Sequence, residues 1–249
     1  HLDWSQALAQ RHRGAVHWEV EQIRRALAGL GLRPILLKGG AYAAAGLPPA
    51  AGRLFSDIDI LVPKGRLDEV EAALMMHGWV STHTDAYDQR YYREWMHELP
   101  PMQNVKRDTL IDVHHAILPE TARATPDPSK LRAAAVAIEG EPGFRTLAPA
   151  DMVLHSATHL FYGEFEHGVR DLVDIDGLLR HFSADPGFWD GLVPRARELE
   201  LGRPLFYALR WAGRLLGTPV PASVFEDSKH DAPNHAVLAL MDWLSGHAM

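Results

Sequence analysis

Residues 56–62, Ser-Asp-Ile-Asp-Ile-Leu-Val, alternate in polarity from Asp57 to Ile60 and run into Pro63 and Gly65. A period of two marks a strand, with Ile58, Ile60 and Val62 on one face and Asp57 and Asp59 on the other. Two carboxylates at i and i+2 hold their Cβ atoms roughly 7 Å apart, close enough to converge on one or two divalent cations. Pressed against a packed sheet without counter-charge they would cost several kcal/mol, so a cation is their natural partner. The plainer alternative is an edge strand whose acidic face is solvated.

The surrounding pattern favours the cation. Val16, Val20, Ile23, Leu27 and Leu30 have helical spacing, and Gly29 and Gly31 end that helix. Ile35-Leu36-Leu37 then reads as a short buried strand running into Lys38-Gly39-Gly40 and a helix over 41–45. Backbone N–H groups at such a strand–glycine–helix turn suit a phosphate, because glycine lets the anion reach the main chain. Pro48 and Pro49 make 47–53 a loop. A helix from Leu67 stops near Gly78. Beyond it, residues 94–99 and 109–117 read as two neighbouring strands separated by the polar segment 104–108. In the second, Leu110, Asp112 and His114 share a face, which supplies a third acid. Three oxygen donors in a chain with no cysteine point to Mg²⁺ or Mn²⁺.

With these elements, residues 36–79 resemble the DNA-polymerase-β-like nucleotidyltransferase superfamily, and within it a group of largely uncharacterised bacterial nucleotidyltransferases. The resemblance rests on Leu37-Lys38-Gly39, on Arg53, on the Ser56–Val62 strand, and on Ile111-Asp112-Val113-His114; helical segments near 147–160 and 169–179 extend it. It implies an α+β fold, a mixed β-sheet flanked by helices and followed by an all-helical C-terminal part. An NTP would be held by Lys38, Gly39, Gly40, Arg53 and Ser56, with His114 nearby. Asp57, Asp59 and Asp112 would be the catalytic and metal-binding acids, and Asp112 would also take the proton of an attacking hydroxyl. One departure stands out: Gly40 lies 17 positions before Asp57, a longer spacing than is common in the superfamily.

The proline-rich segment 119–130 marks the expected boundary, with a nucleotidyltransferase α/β domain over 1–125 and a mainly helical domain over 126–249. A formal net charge of −7 argues against a broad nucleic-acid surface, so nucleic acid is a possible but disfavoured acceptor. No apolar run is long enough to span a bilayer, which predicts a cytoplasmic protein with no membrane partner. The chain begins at His1 without a preceding Met, so its numbering is expected to start inside a longer product. There is no G-x-S-x-G, P-loop or G-x-G-x-x-G pattern, which leaves hydrolase, Walker-type ATPase and Rossmann readings without support.

Other residues carry weaker signals. Fifteen histidines invite a zinc site, and His155 and His159 form an i, i+4 pair, but helix packing or cleft lining is the favoured reading. Asp171 and Asp174, beside Arg170, read more readily as a solvated helix face than as acceptor ligands. The seven tryptophans, Trp4 among them, are scattered in a way that suits core and interface packing rather than base stacking. Two readings besides a nucleotidyltransferase remain: a non-catalytic nucleotide-binding or regulatory protein of the same fold, and a metal phosphohydrolase using the histidine-rich helices.

Overall fold

The computed structural model describes residues 2–54, 56–163 and 167–247; the side chain of Trp4 lies outside the described residues. The first helix, α1 (Leu2–Leu27), is longer than its apolar stripe, and Val16, Val20, Ile23 and Leu27 bury that stripe. The chain then enters β1 (Ile35–Leu36), α2 (Lys38–Ala44), a 3₁₀ turn over Pro48–Ala50, β2 (Asp57–Leu61) and α3 (Leu67–Met76). Next come β3 (Trp79–Ser81), α4 (Ala86–Trp95), β4 (Met102–Asn104) and β5 (Leu110–His114). A short helix α5 (Pro128–Ala134) precedes β6 (Val136–Ala137) and β7 (Arg145–Thr146).

These strands form one mixed sheet in the order β3-β4-β5-β2-β1-β7-β6. Its centre is the parallel pair β2/β5, in which Asp57 faces Leu110, Asp59 faces Asp112 and Leu61 faces His114. β1 runs antiparallel to β2 and parallel to β7. Ile58, Ile60, Ile111 and Val113 are buried, so the apolar faces of both central strands fasten the sheet to the core. Burying each of those aliphatic side chains contributes roughly 1.5–3 kcal/mol, and this anchors the acids on the opposite face.

Two local features differ from the sequence reading. The segment 94–99 is not a strand: Glu94 and Trp95 close α4, which the Asp85 carboxylate caps by accepting from the Tyr87 N–H at 2.8 Å, and Glu98 makes one isolated bridge with His114. The hairpin partner of β5 is instead β4, joined to it through the expected turn at 104–108. Moreover, β6 and β7 follow the expected boundary at 125/126 yet edge the same sheet, so strands of the α/β part continue to Thr146.

From Pro149 the chain is helical: α6 (Pro149–Tyr162), α7 (Gly168–Phe182), α8 (Phe188–Glu198), α9 (Gly202–Leu216), α10 (Ala222–Ser228) and α11 (His235–His247). α6 packs on α7, α8 and α9. Fully buried Asp151, at the start of α6, takes Nε and Nη2 of Arg195 on α8 at 2.6 and 2.8 Å. α7 meets the α/β part at the Pro48–Ala50 turn, where a Cβ on Gly177 would lie 3.3 Å from the Pro49 ring. Trp79 and Trp211 are buried, whereas Trp18, Trp95 and Trp243 are exposed, so packing accounts for only part of the tryptophan set. Among the described residues no helix is long and apolar enough to cross a membrane.

Candidate active site

The site begins at Lys38. Leu37 donates its N–H to the Asp59 carbonyl at 3.0 Å, which ties the end of β1 to β2, and Lys38 then turns the chain into α2 at φ +42°. That left-handed backbone is uncommon for a residue with a side chain and costs on the order of 1–3 kcal/mol. It sets Lys38 Nζ 2.8 Å from Oδ1 of Asp59, and His114 Nε2 lies 2.9 Å from the same oxygen. Burial by itself would raise the Asp59 carboxyl, but Lys38 and His114 outweigh it and hold the group well below the usual carboxylate range. Asp59 is therefore a carboxylate at any working pH, with its second oxygen outside both contacts.

Asp112 behaves oppositely. It sits beside Asp59 in the register of β2 and β5, and among the described residues its side chain takes no hydrogen bond or ion pair. Burial, then the charges of Asp59 and Glu98, push its carboxyl from 3.8 to about 7. Asp57, on the more open end of β2, accepts from Ser56 Oγ at 3.1 Å. Donor atoms of Asp59, Asp112 and His114 lie within 4.8 Å of one another; Asp57 is not in that group. The donor set fits a hard divalent cation: it is oxygen-rich, and an acid pushed up by burial and by neighbouring carboxylates gains when a cation arrives.

Asp57 and Asp59 open into a cleft of about 340 Å³ between the sheet and the helical part. Lys38, Gly39 and Ser56 line it from the sheet side; Ser156 and His159 of α6 and Arg170, Asp171 and Asp174 of α7 line it from the other. Tyr42 and Arg53 bridge the two. Tyr42 Oη lies 2.5 Å from Ser156 Oγ, and the Arg53 guanidinium sits 5.7 Å from the Tyr42 ring centre and pairs with Asp174. Burial lowers the Arg53 pKa from its ordinary value, although not enough to discharge it. Asp171 takes Arg170 at 2.9 Å and stands 3.3 Å from His159 Nδ1. Burial would raise its carboxyl, but those two partners more than offset this and keep it low.

Of the expected nucleotide contacts, Lys38, Gly39, Arg53 and Ser56 reach this cleft, whereas Gly40 is buried against Ile58, with 3.7 Å between its would-be Cβ and Ile58 Cγ2. Asp112 and His114 lie one strand away on β5, beside Asp59 and outside the cleft lining. Asp171 and Asp174 are buried cleft residues rather than a solvated face. Their sequence signal was the basic partner at Arg170 and the apolar spacing of α7, which turns both acids inward once the helix docks. His155 is buried, and burial holds its imidazole neutral. Neither metal-capable group among the described residues contains His155 or His159.

Over residues 1–217 the chain matches the model of a family described as uncharacterised nucleotidyltransferases. Among solved structures it is similar to the crystal structure of ANT(2")-Ia in complex with adenylyl-2"-tobramycin, at 15% identity and a TM-score of 0.41, over 69% of this chain and 98% of that one. No curated protein matches it.

Proposed function

The chain belongs to the uncharacterised nucleotidyltransferase family, and from that premise we propose that it transfers a nucleoside monophosphate from an NTP to a hydroxyl of an acceptor bound in the cleft. The reaction forms a bond from the acceptor oxygen to the α-phosphorus, breaks the bond from that phosphorus to the bridging oxygen, and releases pyrophosphate. The observation that carries this reading is the register of β2 and β5, which sets Asp112 beside Asp59.

Asp57, Asp59 and Asp112 would hold Mg²⁺ or Mn²⁺, and the metal would neutralise phosphate charge and stabilise the attacking and leaving oxygens. Lys38 already pairs with Asp59 and lies at the cleft wall, where it would also meet phosphate oxygens. Arg53 exchanges Asp174 for the triphosphate; its planar fork binds two oxygens at once. Asp112, beside Asp59 in the register of β2 and β5, is also the candidate base for the acceptor's hydroxyl proton. A cytoplasmic location suits an enzyme that draws on NTP and Mg²⁺.

One observation favours a second reading, a non-catalytic nucleotide-binding protein of the same fold: Lys38 and His114 both occupy Oδ1 of Asp59. Thermal-shift titration with each NTP plus Mg²⁺ or Mn²⁺, followed by pyrophosphate release over a panel of hydroxyl acceptors, separates the two. Metal-dependent NTP binding with turnover supports the transferase, and binding without turnover across the panel supports the second reading. NTP and Mg²⁺ binding unchanged by Asp57→Asn with Asp59→Asn overturns the transferase reading.

A further inference from the structure

Beside β5, the buried ring nitrogens His97 Nδ1 and His114 Nδ1 have no hydrogen-bond partner among the described residues. His114 is 2% exposed, and its Nε2 faces Asp59. Its Nδ1 lies 3.0 Å from Glu98 Oε2, in an approach too poorly aligned for a hydrogen bond. A neutral imidazole has one N–H to give. With that hydrogen on Nε2 for Asp59, the Nδ1 lone pair and the Glu98 carboxylate oxygen stand 3.0 Å apart, a repulsive contact that a cation bound to both would turn into attraction.

The third group is in place. The His97 ring lies 5.3 Å from the His114 ring, and one nitrogen from each ring and one Glu98 oxygen all fall within 4.8 Å of one another. Main-chain bonds hold the segment there. Glu98 forms its bridge with His114, Leu99 donates to the Val113 carbonyl at 2.9 Å, and the His97 carbonyl accepts from His115 at 2.8 Å.

We propose that His97, Glu98 and His114 bind a zinc-class divalent ion, at a site distinct from the Asp57, Asp59 and Asp112 acids. Two imidazoles and a carboxylate are a zinc donor set, and three protein ligands leave a fourth position for water. The ion fixes His114 with its hydrogen on Nε2 and so aims Asp59, as carboxylate–histidine–zinc arrangements do. Only that last consequence rests on the nucleotidyltransferase reading.

The test is metal stoichiometry, measured without nucleotide so that its outcome is independent of pyrophosphate release. Chelator-stripped full-length chain titrated with Zn²⁺ is expected to retain about one ion per chain after desalting, and Co²⁺ in its place is expected to give the intense visible absorption of a tetrahedral N/O site. His97→Ala and Glu98→Gln, each checked for a native melting transition, are expected to lose the ion, while Asp112→Asn keeps it. A wild-type chain that takes up neither Zn²⁺ nor Co²⁺ overturns the proposal. Ion retained by His97→Ala, or lost from Asp112→Asn, overturns it too.

Discussion

Replacing Asp112 by Asn should make the metal-free protein more stable while removing its activity. In the folded chain the Asp112 carboxyl is raised from 3.8 to about 7, by burial first and by Asp59 and Glu98 second. Between those two values the folded state keeps a proton that the unfolded chain releases, so stability falls as pH rises, and above about pH 7 the penalty is complete. A difference of that size corresponds to about 4 kcal/mol, and relaxation and water at a half-buried group reduce it to about 1–3 kcal/mol. Asn has nearly the same shape and does not titrate. At about 2–4 °C per kcal/mol for a chain of this size, Asp112→Asn should melt roughly 2–12 °C higher at pH 8. The assay is calorimetry in EDTA at pH 8 and pH 5, where the gain should shrink as wild-type Asp112 stays protonated when folded. Nucleotidyl transfer by the same variant should fall by about 100-fold or more. A variant no more stable at pH 8, or one whose advantage is as large at pH 5, would refute the reasoning.

Asp151→Ala should act in the other direction, because it leaves the Arg195 guanidinium without its buried partner: a loss of about 3–5 kcal/mol, read as a lower melting temperature. Tyr42→Phe removes the 2.5 Å contact with Ser156 and should cost about 1–2 kcal/mol in urea unfolding. Arg53→Lys keeps the charge but loses the fork, and should weaken NTP binding by about tenfold in calorimetric titration, with a smaller effect on stability than Arg53→Ala.

The parts of the fold that could be read from sequence are those set by local periodicity. Ile58 and Ile60 alternate with the acids because one face of β2 is core, and the same holds for Ile111 and Val113 on β5. The one-residue spacing of Asp57 and Asp59 therefore carried real information, and the register of β5 supplies the third acid beside them. α4 was hidden for a physical reason: Tyr87, Tyr91 and Trp95 repeat at helical spacing but are exposed strand-formers, so the segment lacks a buried stripe. The burial of Asp171 and Asp174 depends on α7 docking at the Pro48–Ala50 turn, a contact distant in sequence. Gly39 and Gly40 are indistinguishable in the sequence, and only the approach of Ile58 assigns one to the cleft wall and the other to packing.

The most direct measurement is a crystal structure with Mn²⁺ and a non-transferable NTP analogue, with anomalous data collected at the manganese edge. The account predicts a manganese peak coordinated by Asp57, Asp59 and Asp112 and by phosphate oxygens, with Arg53 turned from Asp174 to the triphosphate. A nucleotide bound without manganese at those acids, or manganese that none of the three touches, would contradict it.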